Sequence, residues 1–153
     1  MSEAVLSEIG DNWVEDYVPY RLHRVTCKLN SRLVGKLKSL RINLSQWRVM
    51  SVLKGYGTLN MGSIVNLTVM EQPTVSRVVA QLAKMGMISR RPFPTDARIT
   101  EVSLTAKGFD ACEQIISTAL RLQRQAFDGI SGKEMASLLQ TLAKIERNVE
   151  GDC

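Results

Sequence analysis

The chain has 153 residues, of which 44% are hydrophobic and only 5% aromatic, with a net charge of +5 and a pI near 9.3. That length suits one compact domain or two small interlocked ones, with a core built mainly from Leu, Val, Ile, Ala and Met. No apolar run nears the roughly 18 residues of a membrane span, no signal-peptide pattern opens the chain, and Cys27, Cys112 and Cys153 are too scattered for a disulfide framework or a zinc site, so a cytoplasmic protein without membrane, metal or cofactor is expected.

Residues 1–17 have little periodicity and are expected to form a partly ordered arm, and the charged residues among the first 20 are all acidic. Pro19 suits the first turn of a helix, where its missing N–H costs nothing. Leu22, Val25, Leu29, Leu33, Leu37 and Leu40 then recur at helical spacing, so an amphipathic helix ends between Leu40 and Asn43. Ser45 reads as the N-cap of the next helix, with Leu44 and Val49 as a hydrophobic staple. That helix stops at Gly55-Tyr56-Gly57. A short helix over 62–67 and a turn at Val69-Met70-Glu71 lead into a helix from Pro73 to Met85, closed by a left-handed Gly86. Its apolar face is Val75, Val78, Val79, Leu82 and Met85.

Two extended stretches follow, 87–91 and 99–104, joined by a turn over 92–98. Thr105 caps a long helix carrying Phe109, Cys112, Ile116, Ala119, Leu120 and Phe127. Ser131-Gly132-Lys133-Glu134 is a capping box for the last helix, whose expected buried face is Met135, Leu138, Leu139, Leu142, Ile145 and Val149. The expected fold is mainly α with a small β-wing. A winged helix-turn-helix domain (44–104) lies between an N-terminal arm and dimerisation helix (1–43) and C-terminal dimerisation helices (105–153). The long stripes exceed what a small winged domain can cover, so they pack on one another or on a second chain. A symmetric homodimer is the economical solution.

Such a fold exposes one helix and one hairpin to a groove of duplex DNA. Charge agrees. From Arg21 to Lys54 there are nine basic residues and no acid, and from Gln72 to Arg98 five basic residues stand against Asp96 alone. A polyanion binder needs such segregation, although a solvated helix face gives the same pattern. The outward positions of the 73–85 helix and the residue before it are Gln72, Pro73, Thr74, Ser76, Arg77 and Gln81. Arg can grip guanine O6 and N7 with two bonds, and Gln can do so for adenine N6 and N7. Thr, Ser and the helix N-terminus suit phosphate. Arg90 and Arg91 point to opposite faces of one strand, so one of them at most faces phosphate readily. Arg98 has two readings: insertion into a narrow minor groove, or a local ion pair with Asp96.

These residues identify a resemblance. Leu44-Ser45-Gln46-Trp47-Arg48-Val49-Met50, Pro73-Thr74-Val75-Ser76-Arg77, Leu82-Ala83-Lys84-Met85-Gly86-Met87-Ile88-Ser89-Arg90, Asp96-Ala97-Arg98 and Leu104-Thr105-Ala106-Lys107-Gly108 together resemble the multiple-antibiotic-resistance regulator (MarR) family of bacterial winged-helix regulators. Glu71-Gln72-Pro73 resembles its SlyA-like branch. The resemblance implies a DNA-binding transcriptional regulator, a repressor in the main reading. It implies an obligate homodimer on a palindromic operator and often a small-molecule effector that weakens DNA binding. Departures from the family pattern are Val69 for a frequent Gly, Glu71 for a frequent Ser or Thr cap, Ala80 for an acid and Ala97 for a second basic residue. The wing therefore rests more heavily on Arg98.

Other functions are set against this one. An enzyme lacks support, because the one histidine, His23, has no placed carboxylate, and no phosphate loop or nucleophile elbow appears. A candidate effector pocket is lined by Trp13, Tyr17, Trp47 and Met50, residues that serve equally as core. Redox sensing through Cys27, which lies between Thr26 and Lys28, is an alternative. Cys112 reads as packing. A winged module that binds protein rather than DNA is another alternative, distinguished by the absence of salt-sensitive DNA binding.

Overall fold

The computed structural model describes residues 13–93 and 96–150; the side chains of residues 96–98 are outside the described set. Two compact units divide the chain, Met1–Leu122 and Gln123–Cys153. The first described element of the first unit is a single helical turn, α1 (Trp13–Asp16), within the stretch expected to be a partly ordered arm. Helix α2 (Val18–Ser39) follows, with its proline in the first turn. Leu33 and Leu37 anchor its C-terminal half in the core, while Leu22 and Val25 stay exposed.

Helix α3 (Leu44–Tyr56) starts one residue before the expected cap, and the cap is Asn43 rather than Ser45. Asn43 Oδ1 accepts from the Gln46 backbone N–H at 2.9 Å, and the Asn43 backbone N–H donates to Gln46 Oε1 at 2.9 Å. Asn satisfies a helix start at least as well as Ser, and here Gln46 completes the box three residues on. Gly57, at φ 80°, ends the helix.

A two-residue strand, β1 (Leu59–Asn60), precedes helix α4 (Met61–Thr68). This strand is too short to carry a period in sequence; it exists through its pairing. Asn60 also caps α4, accepting from Ser63 N–H at 2.8 Å. Val69 then turns the chain in the left-handed region, at φ 52°, and helix α5 (Gln72–Lys84) begins. Gly86 closes this helix at φ 70°, as expected.

The wing consists of β2 (Ile88–Phe93) and β3 (Asp96–Leu104), longer than the sequence suggests. Pro92 lies in β2 rather than in the turn. Strand order is β1-β3-β2, all antiparallel, so β2 is an edge strand, where a missing N–H is tolerated. The register shifts between Pro92 and Phe93. Ser89 and Ser103 face each other with their hydroxyls 2.9 Å apart. Buried Val49, Met50, Leu53, Ile64, Val75, Val79, Leu82, Ile88 and Val102 join the helices to the sheet; full burial of each such side chain contributes about 1.5–3 kcal/mol.

Helix α6 (Ala106–Ala126) begins in the first unit and ends in the second. Thr105 caps it, accepting from Gly108 N–H at 3.1 Å. Ala111, Cys112 and Ile115 are buried. In the second unit, helix α7 (Gly132–Glu150) carries the expected capping box. Ser131 N–H donates to Glu134 Oε2 at 2.8 Å, and Glu134 N–H donates to Ser131 Oγ at 3.3 Å. The Ser131 hydroxyl, which donates to Glu134 Oε2 at 2.7 Å, and the Ser131 backbone N–H hold the Glu134 carboxyl below the usual range. The buried stripe expected on α7 is not buried in the single chain. No residue of α7 is buried, and Leu138, Leu139, Ile145 and Val149 are exposed.

Candidate nucleic-acid interface

Helix α5 divides cleanly into two faces. Val75, Val78, Val79 and Leu82 are at most 3% exposed. Gln72, Pro73, Ser76, Arg77 and Gln81 are exposed and Thr74 is half-buried. Buried valines at 75, 78, 79 and a leucine at 82 therefore rotate the polar residues outward; the spacing of one set fixes the direction of the other. Glu71, the N-cap, makes no side-chain cap bond. The first N–H groups of α5 thus have no acceptor from Glu71, and the helix dipole favours an anion beside them. No ion pair among the described residues holds Arg77.

Gln81 also makes a contact within the protein. Its Oε1 accepts from Gln46 Nε2 at 3.1 Å, so one end of its carboxamide is engaged within the protein. Gln46 is only 6% exposed. Sequence reasoning assigned it no role; the Asn-x-x-Gln spacing of a capping box was the available signal, hidden because Ser45 looked like the cap. Asn43, Ser45, Thr74, Arg77 and Gln81 line one cleft of about 420 Å³ between α3 and α5.

On the wing, Arg90 stands opposite Val102 and Arg91 opposite Glu101. Both arginines are exposed, although they point to opposite faces. Phe93 pairs with Asp96, so the backbone of Arg98 lies inside β3, third from its start, rather than in an open turn. The two readings of its side chain fall outside the described residues.

The basic stretch from 21 to 54 is not uniformly available to a polyanion. Glu15 accepts from Arg21 at 2.7 Å and from Arg24 at 2.8 Å, and these two guanidinium groups hold its carboxyl below the usual range. Lys54 pairs with Glu113 at 2.7 Å and sits 4.5 Å from the centre of the Phe109 ring. Lys36 donates to Gln114 at 3.2 Å. Positive charge near α5 and the wing has no such carboxylate partner among the described residues.

The four residues of the candidate effector pocket fall in two groups. Trp13 and Tyr17 are half exposed, with ring centres 5.4 Å apart. Met50 is fully buried, with Trp47 packed against the same core. Met50 therefore serves packing. Cys27 is exposed, with its sulfur 3.5 Å from His23 Nε2. Cys112 is buried, as its place on the apolar stripe predicts, and burial pushes its thiol up to about 11. Such a thiol stays protonated and unreactive near neutral pH. No helix is long and apolar enough to cross a membrane among the described residues.

Comparison with known proteins agrees with this geometry. Residues 42–100 match the model of the MarR family. A transcriptional repressor of Pseudomonas putida, IacR, is 24% identical over 136 residues, covering 89% of this chain and 81% of that protein. The crystal structure of a MarR-family transcriptional regulator from Silicibacter pomeroyi superposes with a TM-score of 0.82 at 26% identity, covering 94% of each chain. A mutant of MarR from E. coli, solved with operator DNA, superposes with a TM-score of 0.75 at 25% identity, covering 89% of this chain and 99% of that one.

Proposed function

We propose, from the match of residues 42–100 to the MarR-family model, that the protein is a MarR-family, sequence-specific transcriptional regulator that binds duplex DNA. Two copies act as a homodimer on a palindromic operator. Each lowers α5 into a major groove and sets its wing beside the adjacent minor groove. The observation that carries this reading is the outward face of α5, where Gln72, Pro73, Thr74, Ser76 and Arg77 stand opposite a fully packed valine and leucine face. The E. coli relative solved on operator DNA supports the same use of the fold.

Roles follow from chemistry. Arg77 grips guanine O6 and N7. Gln72, Thr74 and Ser76 meet phosphate or base edges near the helix N-terminus. Pro73 fits the first turn of α5, where its missing N–H costs the helix no hydrogen bond. Arg90 meets the backbone, and Arg98 enters the minor groove. Repression is the favoured sign, in line with the P. putida relative. The protein works in the cytoplasm, binds rather than catalyses, and is released from DNA by a small-molecule effector.

The homodimer is supported by apolar residues that the single chain leaves exposed, among them Leu22 and Val25 of α2 and Leu138, Leu139, Ile145 and Val149 of α7. Selection of bound sequences from random duplexes tests the reading. The expected result is two inverted half-sites centred about 34–36 Å apart. Arg77→Ala is expected to lose about 1–3 kcal/mol against the selected site, and Arg98→Ala to weaken binding most at A·T-rich flanks. Unchanged affinity in both variants rejects the interface.

A further inference from the structure

The polar contact between α3 and α5 has a fixed direction. The backbone N–H of Asn43 donates to Gln46 Oε1, so the oxygen of the Gln46 carboxamide faces the helix start. Its nitrogen must then face α5, and Nε2 donates to Gln81 Oε1 at 3.1 Å. Reversing the Gln81 amide would set two NH2 groups against each other and strand a donor on a side chain only 6% exposed. Gln81, itself exposed, therefore engages its oxygen inward and leaves its NH2 for the surface it shares with Arg77 and Thr74.

We infer that Gln46 is a positioning residue that makes Gln81 a hydrogen-bond donor to DNA. The inference rests on the DNA-reading function proposed above and specifies the chemistry at one position of it. A carboxamide that grips adenine uses its oxygen and its nitrogen together. With the oxygen held by Gln46, Gln81 offers its NH2 to an acceptor edge instead: guanine O6 or N7, thymine O4, or adenine N7. Guanine and thymine present only acceptors in the major groove, adenine presents an acceptor beside an amino donor, and cytosine presents only a donor, so Gln81 favours guanine or thymine on the strand it faces and disfavours cytosine most.

Sequence selection with the full-length protein tests this at single-position resolution. Gln81→Ala is expected to flatten the preference at one position of each half-site, on the order of 10-fold, and to leave the others unchanged. Gln46→Glu keeps an acceptor for the Asn43 N–H and turns a second oxygen toward Gln81, whose NH2 must then swing inward and its oxygen outward. The preferred base at that same position, read on the same strand, is expected to change from guanine or thymine to a base that presents an amino donor, cytosine or adenine. Gln81→Glu reaches the same endpoint by another route and serves if Gln46→Glu fails to fold: one oxygen accepts from Gln46 and the other faces the groove. A loss of helix capping alone would lower the melting temperature without changing any base. Folded variants that keep the wild-type base at every position overturn the inference, as does a Gln81→Ala protein weakened equally on all sequences, which marks a phosphate contact. A wild-type protein that enriches no sequence overturns the DNA-reading function itself.

Discussion

Gly108 shows how much a single residue can decide here. A Cβ built on it would meet the Met87 carbonyl oxygen at 2.0 Å and Leu104 Cδ2 at 3.1 Å. Backbone cannot retreat as a side-chain tip can, so only glycine lets α6 close on Met87, between α5 and β2. Its neighbours bind the same junction. Thr105 Oγ1 donates to Gly86 O at 2.7 Å, and Lys107 Nζ donates to Met85 O at 2.8 Å. That ammonium satisfies a carbonyl at the α5 C-terminus, where the helix dipole favours a cation. Leu104-Thr105-Ala106-Lys107-Gly108 was legible in sequence as a motif and Thr105 as a cap, but the partners of Lys107 and Gly108 were not. Gly108→Ala is expected to destabilise the fold by about 2–3 kcal/mol, measured by urea denaturation. A loss under about 0.5 kcal/mol would show that the Met87 carbonyl can move aside.

Elements follow the same division. The helix periods located α2 to α7 to within a few residues, because an apolar stripe at helical spacing fixes element type whether or not the single chain buries it. The two-residue β1 has no period of its own and exists only through its pairing with β3. Pro92 looked like a turn residue because its edge position is decided by strand order, which sequence does not show. The turn between α4 and α5 combines both effects. Val69 occupies a left-handed position at φ 52°, and the residue is 90% exposed. A β-branched residue is strained in that region and here gains almost no packing in return. Val69→Asn, a residue that tolerates left-handed backbone, is therefore expected to stabilise the protein by about 1 kcal/mol and to raise its melting temperature by roughly 2–4 °C. Calorimetry checks this. A lower melting temperature would mean that the valine contributes contacts outweighing its strain.

For the whole molecule, the important surface is the one the single chain leaves uncovered. Helix α7 has no buried residue, and Leu139 is 59% exposed while lying on its apolar stripe. In the proposed dimer a charge at such a position is desolvated without a partner. Leu139→Asp is thus expected to shift the protein toward monomer in sedimentation equilibrium while leaving the helical content of the chain intact. Specific DNA affinity should fall with it, because one copy can grip only one half-site. A variant that stays dimeric would place the dimer interface elsewhere.

Sequence alone determined the order of helices, the winged motif, the inward valines and outward Arg77 of α5, and the two genuine capping signals at Thr105 and Ser131. Each depends on residues a few positions apart, whose relation the local backbone fixes. Tertiary structure decided the rest: that Asn43 rather than Ser45 starts α3, that Glu15 draws in Arg21 and Arg24 and Glu113 draws in Lys54, and that Gln46 reaches across 35 positions to engage Gln81. Those outcomes depend on which side chains packing brings within hydrogen-bonding distance, and no local period encodes that distance.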